Sequence, residues 1–172
     1  VIGIFLLDID YFKEVNDTYG HMIGDQVLIQ ISKILKQMIR RDDSLVRWGG
    51  EEFLIILYNT KPEFLKKFAR KVVDTIRDTP ITVSVNRNIH KTCSLGFVEM
   101  PVDKSNPELL NLEQMINLSD YALYCAKENG RNCAAQFILL KQTATDENIE
   151  KYLRNLSRTS EANHEYFKIE LV

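Results

Sequence analysis

The chain has 172 residues, of which 45% are hydrophobic and 27% charged, with 22 Lys+Arg against 24 Asp+Glu and a formal charge of −2. That length fits one ordinary domain with a proper core, and the composition excludes a disordered or fibrous chain. The charge balance gives no electrostatic reason to expect duplex nucleic acid or an anionic membrane, so any phosphate binding has to be local.

Val1 to Leu7 is a short apolar, β-branched and aromatic run that reads as a strand covered on both faces, ending abruptly in Asp8-Ile9-Asp10. Because the chain opens inside this pattern, a preceding segment is expected. From Gly24, residues Val27, Leu28, Ile31, Ile34, Leu35, Met38 and Ile39 recur at helical spacing, and that helix is expected to end near Arg40. Ser44 to Trp48 and Phe53 to Leu57 read as two strands joined by Gly49-Gly50-Glu51-Glu52, a hairpin whose glycines can take positive φ. Pro62 opens a second helix carrying Leu65, Phe68, Ala69, Val72, Val73 and Ile76 on one side. Strands follow at Ile81 to Val85 and Ile89 to Val98. A third helix spans Leu112 to Lys127 and stops at Asn129-Gly130, and Ala134 to Leu140 reads as a last strand. Two helical crossovers among mainly antiparallel hairpins predict an α+β sandwich of ferredoxin-like or polymerase-palm type over residues 1–140. Residues 141–172 read as a polar tail in which Ile149, Tyr152, Leu153 and Leu156 make one amphipathic helix.

Cys93, Cys125 and Cys133 are odd in number and widely spaced, which writes neither a disulfide framework nor a zinc site and fits reduced thiols in a cytoplasmic compartment. Neither a signal peptide nor a bilayer-length apolar run is present.

Acids at the end of one buried strand and in a neighbouring turn would repel unless a cation lay between them. Hard oxygen ligands with open positions suit Mg²⁺ or Mn²⁺ sharing its coordination with substrate phosphates, which points to nucleotide chemistry. Asp10, two residues past Asp8, reads as a structural acceptor for the following loop.

Several separated motifs, in order, carry a resemblance: Asp8-Ile9-Asp10-Tyr11-Phe12-Lys13, Asn16-Asp17-Thr18-Tyr19-Gly20-His21, Gly24-Asp25, Arg47-Trp48-Gly49-Gly50-Glu51-Glu52-Phe53, and Ala122-Leu123-Tyr124 through Ala126-Lys127 to Gly130-Arg131-Asn132. From Val1 to about Phe137 the chain resembles the GGDEF-domain diguanylate cyclases, which join two GTP molecules into cyclic di-GMP at the interface of two domains. The Asp-x-Leu-Thr-x-Leu-x-Asn-Arg-Arg stretch that usually precedes the family's first strand is absent from this sequence.

The resemblance implies that Asp8, Glu51 and the Ile9 carbonyl are metal ligands, that two Mg²⁺ or Mn²⁺ ions occupy each site, and that Glu51 is the base for the ribose 3′-hydroxyl. Glu52 would support the second metal or the Gly49-Gly50 turn. Asn16 and Asp25 would read guanine; the residues alone also allow a helix-terminus role for Asn16 and an N-cap role for Asp25. His21 and Phe12 would contact substrate, and Lys13 would stabilise charge on the transferring phosphoryl group. Lys127 and Arg131 would hold the β/γ-phosphates, although cations near a helix C-terminus also need no further role. Arg40 and Asp43 form the R-x-x-D pair that the family uses to bind its product as an inhibitor, with Arg70 or Lys71 completing that site. The implied partners are GTP, cyclic di-GMP, a second copy docked transiently through facing sites, and an upstream regulatory or membrane-anchoring part. Two other readings stay open: a silent GTP-sensing or cyclic di-GMP-binding module, and a nucleotide cyclase acting on a single nucleoside triphosphate.

Overall fold

The computed structural model describes residues 1–140, 151, 153, 156 and 166–172. Its elements in chain order are β1 (Ile2–Ile9), α1 (Phe12–Tyr19), α2 (His21–Met38), β2 (Ser44–Gly49), β3 (Glu52–Leu57), α3 (Pro62–Asp78), β4 (Ile81–Ser84), β5 (Arg87–Ile89), β6 (Cys93–Met100), α4 (Leu112–Glu128), β7 (Ala134–Leu139) and β8 (Phe167–Leu171). Six strands form one sheet in the order β2-β3-β1-β6-β7-β8, while β4 and β5 make a separate hairpin. All neighbouring pairs in the large sheet are antiparallel except β6–β7, which α4 connects as a crossover.

β1 lies inside the sheet because its residues are apolar on both faces, and Ile4, Phe5, Leu6 and Leu7 are fully buried. Phe5 and Leu7 pack with Phe53, Ile55, Leu57 and Phe97 under the apolar stripes of α2 and α3. Ile4 and Leu6 pack with Leu54, Ile56, Val98, Ala135 and Phe137 under α4. Gly96 on β6 brings α4 close: a Cβ there would fall on the backbone of Ser119 and Leu123. Ser119 Oγ also donates to the Ile4 carbonyl at 3.1 Å, tying α4 to the middle of β1.

Four local features differ from the sequence reading. The hairpin between β2 and β3 turns at Gly50-Glu51, and neither Gly49 nor Gly50 adopts positive φ. A register shift between Arg47 and Gly49 accompanies the reversal, and a Cβ at Gly50 would meet nothing within 4 Å. α2 begins at His21, so Asp25 sits inside the helix rather than capping it, and Asn16 lies within α1. α1 itself was not anticipated: it is eight residues long and buries only Phe12 and Val15, too little to show a periodic stripe. β8 is the other missed element, although Phe167-Lys168-Ile169-Glu170-Leu171 alternates as a half-buried strand does. Phe167 stacks on Phe137 and meets Tyr121 of α4 edge-on, with centroids 4.7 and 5.7 Å apart. The expected tail helix lies mostly outside the described residues; of its apolar positions, Leu153 is buried in the α4-side core and Leu156 packs against it.

Candidate active site

The tip of β1 is where the buried strand delivers polar groups. Asp8 stands opposite Glu52 of β3 on one side and Ser94 of β6 on the other. The next residue, Ile9, donates its backbone N–H to the Glu51 carbonyl at 3.3 Å, fixing the Gly50-Glu51 turn against the strand end. The Asp8 carboxylate points to the α4 side, where Lys127 Nζ lies 2.8 Å from Oδ2. Burial pushes the Asp8 carboxyl above its ordinary value; Lys127 opposes the rise, and the neighbouring Glu51 and Asp10 charges add to it.

On the α1–α2 side of the tip lies a cavity of about 420 Å³ lined by Phe12, Lys13, Asn16, His21, Asp25, Leu28, Arg47, Gly50 and Glu51. Seven of the sequence-derived candidates are therefore walls of one space. α1 and α2 approach closely here because residue 24 is glycine, since a Cβ would land on Asn16 Oδ1. Arg47 and Leu28 were given no role from the sequence. Arg47 Nε donates to the Gly50 carbonyl at 2.9 Å, bracing the turn from the β2 side. Its place two residues before the glycine pair was the available signal.

The remaining candidates lie elsewhere. Lys127 and Arg131 stand at the end of α4, and the Arg131 guanidinium is 5.0 Å from the centre of the Tyr11 ring. Arg40 and Asp43 sit at the far end of β2, a six-residue strand roughly 20 Å long, from the glycine turn. The buried Asp43 carboxylate is part of the fold there, accepting from the backbone N–H of Arg40 at 2.8 Å and of Tyr58 at 3.0 Å. Arg70 and Lys71 line a different groove, between α3 and the β6–β7 face with Glu99 and Gln136.

Among the described residues no group of three His, Cys, Asp or Glu side chains converges as a metal cluster. The donors at the tip are all oxygen: the Asp8 carboxylate, the Ile9 carbonyl, and the Glu51 and Glu52 carboxylates. A set this small suits a hard ion that completes its coordination with phosphate oxygens and water. The Glu51 and Asp10 charges raise the cost of ionising Asp8, and a cation beside it would relieve that. The residues present fit such an ion.

An α+β sheet whose central strand ends in acids, framed by a glycine turn, a polar cavity and two helix-end cations, defines the class of domain. Residues 1–133 match the family model described as "Diguanylate cyclase, GGDEF domain", and the chain belongs to the GGDEF family. It is 37% identical over 131 residues to diguanylate cyclase A of Treponema denticola, covering 76% of this chain and 34% of that protein. The chain thus spans about a third of that relative's length. Among solved structures, it is similar to the active GGEEF domain of a diguanylate cyclase from Vibrio cholerae, at TM-score 0.69 and 31% identity, covering 78% of this chain and 81% of that one. It is also similar to the GGDEF domain of DgcB from Caulobacter crescentus in complex with c-di-GMP, at TM-score 0.68 and 28% identity, covering 78% and 77% of the two chains. Among the described residues no helix is long and apolar enough to cross a membrane.

Proposed function

We propose that this domain condenses two GTP molecules into cyclic di-GMP. The observation that carries the reading is the unbroken Gly49-Gly50-Glu51-Glu52 turn hydrogen-bonded to the acidic tip of β1 through Ile9 and Glu51. The Vibrio cholerae domain described as active carries the same GGEEF letters as Gly49 to Phe53 here.

In this reading guanine enters the α1–α2 cavity, where Asp25 accepts from its N1–H and exocyclic amine and Asn16 supplies the complementary amide. Adenine offers no such donor pair. The triphosphate crosses the β1 tip, with its α-phosphate near Lys13 and the first amides of α1 and its outer phosphates toward Lys127 and Arg131. Bound Mg²⁺ or Mn²⁺, up to two ions held by Asp8, the Ile9 carbonyl, Glu51 and Glu52, would polarise the α-phosphate and lower the cost of ionising a 3′-hydroxyl. Glu51 takes the proton from that hydroxyl as its oxygen attacks the α-phosphorus of the facing GTP and pyrophosphate leaves. Each link needs the 3′-oxygen of one nucleotide in line with the phosphorus of the other, so two copies dock with their sites facing during turnover. Arg40, whose guanidinium is exposed, and Asp43, with two lone-pair positions left after its backbone bonds, would bind product as an inhibitor. Arg40→Ala is expected to relieve that inhibition without loss of the uninhibited rate.

The test is to incubate the protein with Mg²⁺ and GTP and identify the products chromatographically. Cyclic di-GMP should form, and Glu51→Ala should lower its rate by about 10²- to 10⁴-fold. GTP bound but unconverted would instead favour the second reading, a silent GTP-sensing module. One observation speaks for that alternative: Lys127 already occupies the Asp8 carboxylate.

A further inference from the structure

Asp10 is the most deeply buried carboxylate among the described residues, 1% exposed, and neither the proposed metal set nor the cavity uses it. Its oxygens are committed inside the fold. Oδ1 accepts from Ser94 Oγ at 2.7 Å, and Oδ2 accepts from Thr92 Oγ1 at 2.7 Å and from the backbone N–H of Asn132 at 3.1 Å. Its own N–H donates to the Thr92 carbonyl at 2.9 Å, so the residue is pinned to β6 from both backbone and side chain.

The bond to Asn132 is the one that reaches a second element. Gly130, Arg131 and Asn132 follow α4 with φ of 102°, 64° and 49°, three consecutive residues in the left-handed region. Gly130 alone suffices to end a helix. Holding Arg131 there as well costs about 1–2 kcal/mol, because its Cβ crowds the following carbonyl. Such a conformation persists only where the surroundings over-determine it. The Arg131 N–H donates to the Ala126 carbonyl at 3.2 Å, and the Asn132 N–H is anchored by Asp10.

This run turns the Arg131 side chain back over the sheet tip, where it lies on the Tyr11 ring and donates to the Lys127 carbonyl at 3.4 Å. Tyr11 is the residue after Asp10 and is left-handed too, φ 54°, with its carbonyl accepting from Lys91 Nζ at 3.2 Å. The contacts close a ring from Asp10 to Asn132, Arg131, Tyr11 and back to Asp10. One buried carboxylate therefore sets the backbone on both sides of the guanidinium.

We infer that Asp10 is a positioning residue that aims Arg131 at the outer phosphates, so that it sets the preference of this site for a guanosine triphosphate over the monophosphate. The inference rests on the phosphate role given to Arg131 under the proposed function. GMP has no outer phosphates, and its single phosphate falls at the Lys13 end of the site, so its binding does not call on Arg131. The mechanism is hydrogen bonding rather than charge. An Asn side chain at residue 10 can still accept from Asn132 and Thr92 through Oδ1 while donating to Ser94 Oγ through Nδ2.

The test measures GTP and GMP dissociation constants in Mg²⁺ by calorimetry for the unaltered protein, Asp10→Ala, Asp10→Asn, Arg131→Ala and the Asp10→Ala/Arg131→Ala pair. The ratio of GTP to GMP affinity should fall about tenfold in Asp10→Ala, stay near the original in Asp10→Asn, and fall no further in the double variant than in Arg131→Ala. Unaltered GMP affinity in Asp10→Ala shows that the variant is folded. If GMP binding is lost there, the ratio is read in Thr92→Val, where a fall of about threefold supports the inference and no change overturns it. GTP binding by the unaltered protein with an unchanged ratio in Asp10→Ala overturns the inference and leaves the cyclase reading standing. Failure of the unaltered protein to bind GTP defeats both.

Discussion

On the α1–α2 side of the β1 tip the polar side chains stand apart: among the described residues Lys13, Asn16, His21 and Asp25 make no side-chain hydrogen bond or ion pair, yet all four line one cavity. On the α4 side the charged groups are engaged, with Asp8 on Lys127, Asp10 on three donors and Arg131 on Tyr11. One half leaves its polar side chains unpaired, while the other has partnered its charges internally. On the proposed function a base would enter the first half without breaking a side-chain bond, because close packing around Gly24 has already set its shape. On the same reading a triphosphate and its cation would enter the second half only by exchange, taking Asp8 from Lys127. The domain, so read, is preorganised for guanine and gated by an internal ion pair at the proposed metal site.

That contrast can be broken most forcefully through Gly96. An added methyl collides with helix backbone rather than with a flexible side chain, so Gly96→Ala should lower stability by about 3 kcal/mol in urea unfolding while displacing α4 from β6. Loss of α4 docking removes the satisfied half and leaves the packing of α1 on α2 intact.

Lys127→Met tests the gate itself. The pair is partly buried, with 10% of the Asp8 side chain and 26% of the Lys127 side chain exposed, so its loss should cost about 2 kcal/mol, between surface and buried values. The direction with pH follows from Asp8, whose folded pKa lies above its unfolded one. The cost of burying its charge is absent below the unfolded value of 3.8 and fully felt once pH has risen past the folded value. Without Lys127 the carboxyl rises further, so the stability gap between the variant and the unaltered protein should widen as pH rises through that range. A carboxyl titration followed by NMR alongside thermal unfolding at several pH values checks both points.

Gly24→Ala sharpens the other half with the smallest effect. Its methyl collides chiefly with the end of Asn16, a side chain that can shift, and meets the Phe12 ring at 3.3 Å, so stability should fall by about 1 kcal/mol. GTP affinity should nevertheless fall about tenfold, with discrimination against ATP weakened, if the displaced Asn16 amide reads guanine as proposed.

The two halves were not equally legible in the sequence. Asp8, Glu51 and the cavity residues announce themselves because strand ends and glycine turns leave composition marks, and the family's motifs fall on them in order. Periodicity gave α2, α3 and α4 to within a few residues, since each buries a long apolar stripe. Contacts between distant segments left no such mark. Lys127 reads as a helix-end cation until β6 and α4 are packed together, and the ring through Asp10 and Asn132 joins residues 122 positions apart. The β2–β3 turn differs for a local reason: two glycines permit positive φ but do not require it, and here Gly50 faces open space while Gly49 leaves room for the Glu52 carboxylate. β8 was overlooked although its alternation was present, because a five-residue strand far from its partner carries little weight beside a helical pattern.

β8 has a practical consequence for anyone shortening the gene. The family match ends at residue 133, before β7 begins, and a chain trimmed to residue 140 would retain β7 while deleting the strand bonded along it. Five consecutive positions, Ala135 to Leu139, would lose their cross-strand partners, and Phe137 would lose the ring stacked on it. An unprotected apolar border of this kind recruits further polypeptide, so the trimmed form should self-associate where the longer one stays dispersed.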